Sequence, residues 1–267
     1  YGRPIEGGEY QPDVSGIAFN SNMGAASNPM RDIIENTTAS GGLTTGTKTD
    51  ILFTTYDVTD ATHGLSLYVQ DAVYLSWKVS TTKKYSTIVN NVINSNNLIS
   101  QTWYNYDEEG RVIWQILNVT GLGPRTYDYT YDKMGRLIKK VFQKDISGDV
   151  FSYFYQYDPA TQNLWKTYTS TINNLNDPSV NPANWNLQAS YIYYLHGPLK
   201  RIELAGDLQG IDYAYTLYGQ LKAINNSDKT KDPGSDGSNG ILTDAFGLVV
   251  DYFSGDYTNG RSGIQPL

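Results

Sequence analysis

The segment that decides the fold is Tyr129-Thr130-Tyr131-Asp132-Lys133-Met134-Gly135-Arg136-Leu137. Tyr129 and Tyr131 alternate with polar neighbours, and this period of two is typical of a β-strand with one buried face. The Asp132 carboxylate can accept backbone N–H groups two residues on, and Gly135 falls where a positive φ follows a type I turn. The segment therefore predicts a strand, a tight turn and a return strand.

Similar segments recur along the chain from residue 104 onward. One copy occupies residues 104–112 and begins 25 residues earlier (129 minus 104), and a degraded copy at 155–164 begins 26 residues later (155 minus 129). Two further copies begin at Tyr191 and Tyr213. A near-constant period of this length indicates a repeat architecture, in which each hairpin is stable only beside its neighbours. We assign structural roles to Tyr104, Tyr106, Asp107, Gly110, Arg111, Tyr129, Tyr131, Asp132, Gly135, Arg136, Tyr155, Tyr157, Asp158, Tyr191, Tyr193, Gly197, Tyr213, Tyr215 and Gly219.

The remaining sequence divides into regions by composition. Residues 1–50 are rich in Gly, Asn, Ser and Thr and predict mostly loop, with one short helix at 29–36. Residues 51–100 predict strands that lead into the repeats, at 51–56 and where Val73, Leu75, Trp77 and Val79 alternate with polar residues. Residues 101–267 form the repeat region, which a polar insertion at about 173–186 interrupts.

Bulk composition excludes several classes of function. The net charge of -7 disfavours a nucleic-acid partner, and the lack of Cys excludes disulfides and thiolate metal sites. No apolar run approaches the length of a membrane span, and the first residues contain no signal-peptide pattern. Because the chain of 267 residues begins without Met, we expect a piece of a larger protein.

Three groups of side chains are candidates for catalysis or metal binding, and a structural explanation is favoured for each. The acids Glu108 and Glu109 fall inside a predicted turn, where solvated residues are more common than a glycosidase pair. His63 and His196 lack neighbouring acids or Ser that would complete a triad or a zinc site. The polar stretch 228–240 offers oxygen ligands for Ca²⁺, but no Glu closes it and two Lys interrupt it.

Two further features leave alternatives open. Arg111 and Arg136 follow the turn glycines, where they either pair with the turn aspartates or neighbouring repeats, or stay exposed. An aromatic set can form a stacking platform for sugars, although aromatic stripes on repeated strands more often pack between neighbouring hairpins. The members of this set are Trp103, Trp114, Tyr153, Trp165 and Tyr168.

The repeats resemble the YD repeat of the Rhs family, whose core is Tyr-x-Tyr-Asp-x-x-Gly-Arg-Leu. The copies at 104 and 129 match this core nearly throughout, whereas residues 161–163 replace the Gly-Arg step and residues 195–199 replace the Asp turn in later copies. The segments 194–204, 215–225 and 244–247 also resemble the core of Rhs proteins, those of the Bacteroidota in particular. The resemblance covers roughly residues 100 to 260.

The resemblance implies an all-β fold, with repeated antiparallel β-hairpins that form a curved or spiral sheet as part of a shell. Family members typically enclose a C-terminal toxin or other cargo, so we expect a wall segment of a secreted or cell-surface protein. Its partners would be the remainder of its own chain and other proteins, such as a cargo domain or a surface or secretion complex. The alternatives are a surface adhesin that binds glycans or proteins, and a type 9 secretion cargo bound to export machinery.

Some Rhs proteins release their cargo by aspartate-dependent self-cleavage, in a motif with paired Asp-Pro-x-Gly segments. Here Asp158-Pro159 lacks the Gly, and Asp232-Pro233-Gly234 lacks the spacing and the partner segment. We therefore predict no catalytic residue, no cofactor, no metal ion and no enzymatic activity in this chain.

Overall fold

The computed structural model describes residues 2–11, 46–144, 148–172, 176–206, 208–226, 233–239 and 244–252. Within these ranges fourteen strands hydrogen-bond in the order in which they occur along the chain. Their pairings are antiparallel, as in β2–β3, β4–β5, β8–β9 and β10–β11. The prediction of an all-β fold of repeated antiparallel hairpins is therefore confirmed. The strands are β1 Glu6–Gln11, β2 Thr47–Tyr56, β3 Val79–Val89, β4 Leu98–Tyr106, β5 Val112–Val119, β6 Gly123–Tyr131, β7 Leu137–Phe142, β8 Phe151–Tyr157, β9 Leu164–Ser170, β10 Asn186–Tyr193, β11 Leu199–Leu204, β12 Gln209–Tyr215, β13 Leu221–Ile224 and β14 Leu248–Val249.

Helical structure is confined to single turns in the described ranges. Two 3₁₀ turns cover Ser95–Asn97 and Pro182–Asn184, and one short helix, α1, covers Asp236–Asn239. No helix in the part of the chain that the structure describes is long and apolar enough to cross a membrane. The chain divides into two compact units, Tyr1–Tyr129 and Thr130–Leu267, and each is described by itself. The three sequence regions predicted above stay a prediction.

The first unit has two buried apolar clusters. Ile51, Tyr85 and Ile88 form one cluster, and Trp103, Trp114 and Ile116 form the other. In the second cluster Trp103 of β4 lies opposite Ile116 of β5. Strands β2 and β3 are rich in Thr, Ile, Phe and Tyr, which suit a pleated, half-buried surface.

A loop of the first unit, residues 57–78, covers the second of these clusters. Its Leu65 and Tyr68 pack on the tryptophans. The Nε2 of Gln70 donates to the backbone oxygens of Ser80 (2.9 Å) and Tyr104 (2.7 Å), and this side chain is 7% exposed. By donating to one carbonyl of β3 and one of β4, the Gln70 amide anchors the loop on the sheet.

The predicted strand at residues 73–79 is wrong except for its last residue. Residues 72–77 form turns, and β3 begins only at Val79. The Asp71 carboxylate accepts the backbone N–H of Val73 (2.9 Å), and the Asp71 carbonyl accepts that of Leu75 (3.1 Å). Such local bonds compete with strand pairing. The alternation has a different origin, since Leu75 of this loop is buried while its neighbours two residues away, Val73 and Trp77, are exposed.

The N-terminal region differs in part from its prediction. Residues 6–11, predicted as loop, form β1, which pairs with β2. A Cβ on Gly8 would lie 2.5 Å from Ile51 Cδ1, so the two strands approach closely there. This strand depends on its partner rather than on its own weak propensity. The predicted strand at 51–56 is confirmed within β2, whereas the helix predicted at 29–36 lies outside the described residues.

The second unit buries smaller groups of side chains. Val141 of β7 and Phe154 of β8 are buried, and the Phe154 ring contacts the ring of Trp185 edge-on at 5.7 Å. Trp185 comes from the polar insertion, whose described part runs from 176 to 186. Its Nε1 donates to the Asn176 carbonyl (3.0 Å), and Ser170 Oγ donates to the Asn184 carbonyl (2.7 Å). The insertion therefore covers the face of the sheet that carries Phe154.

Candidate functional site

The turn of the repeat motif recurs along the described part of the chain. In the copy at 104–112, the Asp107 carboxylate accepts the backbone N–H of Arg111 (2.8 Å) and its Nε–H (2.6 Å). The Gly110 N–H donates to the Asp107 carbonyl (3.0 Å), and Gly110 has a φ of +86°. A residue with a side chain is strained at this φ, which explains the glycine.

The copy at 129–137 repeats this geometry closely. The Asp132 carboxylate accepts the N–H groups of Met134 (2.9 Å) and Arg136 (2.9 Å) and the Arg136 Nε–H (2.7 Å). Gly135 has a φ of +82°. Of the two interpretations of the arginines, the ion pair is therefore the one observed, because Arg111 and Arg136 each lie 2.6 Å from the aspartate of their own turn.

Hydrogen bonds keep both turn aspartates ionised. Burial alone would raise the pKa of Asp107, but the hydrogen bonds from the Arg111 backbone and guanidinium outweigh it, so this pKa lies below its usual value. The same balance between burial and the Arg136 hydrogen bonds holds the pKa of Asp132 below its usual value. Each ionised carboxylate therefore fastens both the backbone and the side chain of the arginine that directly precedes the return strand.

The degraded copies keep the turn with other residues. In the third copy Asp158 accepts the N–H groups of Ala160 and Thr161, and Gln162 takes the positive φ of 66° in place of Gly. In the fourth copy the Gly197 N–H donates to the Tyr194 carbonyl, and in the fifth the Gly219 N–H donates to that of Thr216. The reversal therefore survives where the Asp of the motif is lost.

Arg136 connects two neighbouring turns of the second unit. Its Nη1 donates to the Gln162 carbonyl (3.0 Å) and to Gln162 Oε1 (2.7 Å). Its guanidinium lies 4.2 Å from the centroid of the Tyr157 ring. This side chain therefore joins its own turn to that of the next repeat, which is the second pairing that the sequence left open.

The second tyrosine of the motif has two recurring structural features. The strand register shifts at Tyr106, Tyr157, Tyr193 and Tyr215, directly before each turn. A shift of this kind is typical of a hairpin whose turn ends in a glycine bulge. In addition, the hydroxyl of Tyr106 donates to the Val79 carbonyl (2.8 Å), and that of Tyr157 donates to the Leu137 carbonyl (3.0 Å).

Tyrosine thus connects strands as well as burying a ring. Burial raises the pKa of Tyr106 to about 12, so its hydroxyl stays protonated and remains a donor. The Tyr194 hydroxyl likewise donates to the Tyr213 carbonyl (2.8 Å). Sequence reasoning assigned the rings to the sheet but missed these hydroxyl bonds. The excess of Tyr over Phe, 23 residues against 7, was the signal that points to them.

Comparison with known proteins leaves the family open. No protein-family model matches the sequence, and no curated protein matches it. Among solved structures, TcdB2-TccC3-Cdc42 is similar at 15% identity over 67% of this chain and 8% of that chain, with a TM-score of 0.36. The structure of TcdB2-TccC3 is similar at 14% identity over 67% and 9%, with a TM-score of 0.37. The structure of the Tc holotoxin pore of Photorhabdus luminescens is similar at 16% identity over 67% of this chain and 8% of that chain, with a TM-score of 0.37.

These structures are far longer than the present chain, which spans 8 to 9% of their chains. TM-scores of this size do not establish a common overall fold.

The predicted aromatic platform separates into two groups. Trp103 and Trp114 are buried, at 1% and 7% exposure, and cannot stack on a ligand. For these two residues the sugar-platform alternative is wrong, because the loop at 57–78 covers them. Trp165 and Tyr153 are 40% and 37% exposed. Tyr168 is half-buried, and its hydroxyl donates to Gln156 Oε1 (3.3 Å).

The candidate catalytic and metal-binding residues do not converge. Glu108 and Glu109 lie in the first repeat turn, where Glu109 pairs with Arg111 at 2.8 Å. The stretch 228–240 is described only for 233–239. Within the described ranges, no three His, Asp or Glu side chains come together where they could hold a metal ion.

The two histidines lie in different environments. His63 is 9% exposed, and its ring contacts those of Trp103 at 5.4 Å and Trp114 at 6.0 Å. Its Nδ1 accepts the Leu65 N–H (3.1 Å). Burial lowers the His63 pKa, although Asp60 acts in the opposite direction. His196 is exposed beside Tyr194 in the turn of the fourth copy.

A buried charge cluster in the second unit was not predicted. Arg201 of β11 is 6% exposed and donates to Asp212 (2.5 Å), Glu203 (3.2 Å) and Asp236 at the start of α1. Gly210 and Gly234 lie directly against its guanidinium. The cluster fastens the segment 233–239 to the sheet, and its members are too far apart in sequence for a local pattern to reveal them.

Proposed function

We propose that this chain is a structural segment of a larger secreted or cell-surface protein, and that it forms part of the wall of an Rhs/YD-repeat shell. The shell would enclose or display a cargo such as a C-terminal toxin. The observation that supports this best is the repeated turn, with Asp107 and Arg111 in one copy and Asp132 and Arg136 in the next. Each turn reverses the chain, so that the strand after the turn pairs with the strand before it.

A sheet built in this way suits a wall. Because the strands follow chain order, each hairpin completes the edge of the one before it. The bonds from Arg136 to Gln162 and from Tyr157 to Leu137 fasten neighbouring strands through side chains. Among the described strands, β1 and β14 end the sheet, and further repeats would add there, since a strand edge is a template for pairing. The mechanism of such a wall is steric containment.

Protease protection of the complete natural gene product that contains these residues tests containment. We expect a segment of that protein to survive under the native sheet and to be digested after mild denaturation. The matched control is the same protein with Gly110→Val and Gly135→Val, which strain two turns with φ of +86° and +82°. Protection should be reduced in this variant. Digestion of every segment outside the sheet in the unaltered protein would overturn the proposal.

Fractionation of the source cells tests the secreted or surface location separately. Antibodies against residues 46–144 should detect the protein in the medium or on intact cells. A cytoplasmic marker assayed in the same samples controls for lysis. Steady-state residence of the full-length protein in the cytoplasm would contradict this part of the proposal and leave the containment result unaffected.

A further inference from the structure

A groove of about 630 Å³ lies in the second unit, where the β8–β9 turn meets the end of β10. The scaffold role explains the strands beneath it but not the side chains that line it. Those that matter here are Asp158, Asn163, Trp165, Tyr191, Tyr193 and His196. The volume lies in the range of roughly 300 to 1,000 Å³ that is typical of small-ligand sites.

Aromatic rings form one wall of the groove. Lys166 of β9 lies opposite Ser190 of β10. Because the strands are antiparallel, Trp165, which precedes Lys166, faces Tyr191, which follows Ser190. Trp165 remains 40% exposed although it lies in the middle of a sheet. The Lys166 ammonium lies 4.5 Å from the centroid of the indole ring, and this contact restrains the ring.

The tyrosines extend this aromatic surface over the neighbouring strand. Thr167 of β9 pairs with Tyr155 of β8, so Tyr153 and Tyr155 share the face that carries Trp165. The Tyr153 and Tyr155 rings are stacked, with centroids 6.5 Å apart and planes inclined by 9°. Flat rings therefore continue outward from the groove, on the face that the polar insertion leaves uncovered.

Polar groups of the β8–β9 turn also line the groove. The Asn163 side-chain amide forms no hydrogen bond with any residue in the described ranges, so it offers a donor and an acceptor. Asp158 Oδ1 is occupied by the N–H groups of Ala160 and Thr161. Backbone hydrogen bonding from Thr161 lowers the pKa of Asp158, so the carboxylate is ionised and can accept hydrogen bonds.

We propose that this groove binds a neutral oligosaccharide. A sugar ring has an apolar C–H face, which stacks on a flat aromatic ring, and a rim of hydroxyls, which bond to amides and carboxylates. Trp165, Tyr191 and Asn163 supply these two kinds of partner within one groove.

Charge selects the class of oligosaccharide. Asp158 is the one formally charged residue among those that line the groove, all of which are described, and the chain carries a net charge of -7. With the Asp158 carboxylate in the lining and the Lys166 ammonium beside Trp165, the groove has no excess of positive charge to bind a sulfated or uronic-acid glycan or a nucleic acid. The site therefore favours uncharged sugars.

The test is calorimetric titration of the 267-residue protein with neutral hexasaccharides of glucose, mannose and N-acetylglucosamine. We expect one of them to bind, and Trp165→Ala to weaken its association constant about tenfold or more. Asn163→Ala should weaken it about fivefold, as for one lost hydrogen bond. Trp77→Ala is the matched control, because Trp77 is 72% exposed and lies in the first unit. The Trp77→Ala variant should bind the hexasaccharide with the same association constant as the unaltered protein.

Three results would overturn the proposal. These are no binding of any neutral hexasaccharide, equal binding by the Trp165→Ala variant, and binding of sulfated glycans or peptides alone. Thermal unfolding followed by circular dichroism verifies that Trp165→Ala is folded, so a loss of binding reports on the groove. Protease protection should be unchanged in the same variant, which separates failure of this proposal from failure of the scaffold proposal.

Discussion

Two aromatic regions of this protein are built on the same kind of hairpin but have opposite exposure. In the first unit Trp103 and Trp114 lie on β4 and β5 and are 1% and 7% exposed. In the second unit Trp165 lies on β9 and is 40% exposed. The difference comes from which face of the sheet is covered, since in both hairpins an aspartate, Asp107 or Asp158, accepts a backbone N–H of its own turn.

In each unit, one loop within the described ranges covers one face of the sheet. In the first unit the loop at 57–78 lies over the tryptophans and is anchored by Gln70. In the second unit Trp185 covers the Phe154 face and leaves the Tyr153 face open. The strands therefore carry aromatic rings on both faces, and these loops decide which rings become core and which stay exposed.

The largest effect should come from truncating a covered ring. Trp103→Ala should lower the free energy of unfolding by about 3–5 kcal/mol, because it removes a fully buried ring and leaves a cavity under the loop. Trp165→Ala should lower it by less than about 1 kcal/mol, because the ring is partly exposed. Urea unfolding followed by circular dichroism measures both. Equal losses of unfolding free energy in the two variants would contradict the difference in burial between Trp103 and Trp165.

A change in the shared turn should have a smaller effect. Asp107→Ala removes the acceptor for the Arg111 N–H and Nε–H and should lower the free energy of unfolding by about 1–2 kcal/mol. Asp107→Asn keeps an oxygen acceptor and should lower it by less. Asp132→Ala should act in the same direction, since its turn has the same bonds. If Asp107→Asn and Asp107→Ala destabilise equally, the hydrogen bonds to the carboxylate are not what stabilises the turn.

The smallest expected effect is a pH dependence of the free energy of unfolding that comes from His63 in the covered region. Burial lowers the His63 pKa in the folded state, so the unfolded chain binds the proton more readily. Stability should therefore fall as the pH decreases from neutral through the ordinary histidine range towards the lowered pKa, and level off below it.

Urea unfolding at a series of pH values compares three proteins for this purpose. His63→Gln should flatten the slope between neutral pH and the carboxylate range. His196→Gln is the matched control, because it makes the same substitution at an exposed position outside the covered region. A slope that persists in the His63→Gln variant would mean that another group titrates in this window.

Several elements were predictable from local sequence. The hairpin turns at 107–110 and 132–135 follow from Asp and Gly at fixed positions, and the strand at 51–56 follows from its composition. The prediction at 73–79 was wrong because a buried Leu75 between exposed neighbours gives the same alternation as a strand. β1 was missed because its pairing with β2 overrides weak strand propensity.

For the candidate groove, the sequence identified some of the aromatic residues but not which of them are exposed. Trp165 and Tyr153 were members of an aromatic set that also contained Trp103 and Trp114, and nothing local distinguishes the exposed pair from the buried pair. Asn163 carried no signal at all, because its role depends on the neighbouring strand.

The sequence by itself determined where the chain reverses and that each reversal joins antiparallel strands. These are short-range properties, since a carboxylate two to four residues from its amide and a glycine at positive φ act within one turn. Only the tertiary structure decided which rings are covered, which carbonyls the tyrosine hydroxyls reach and which charges surround Arg201. Those outcomes depend on residues that are distant along the chain, and burial is a property of the assembled sheet.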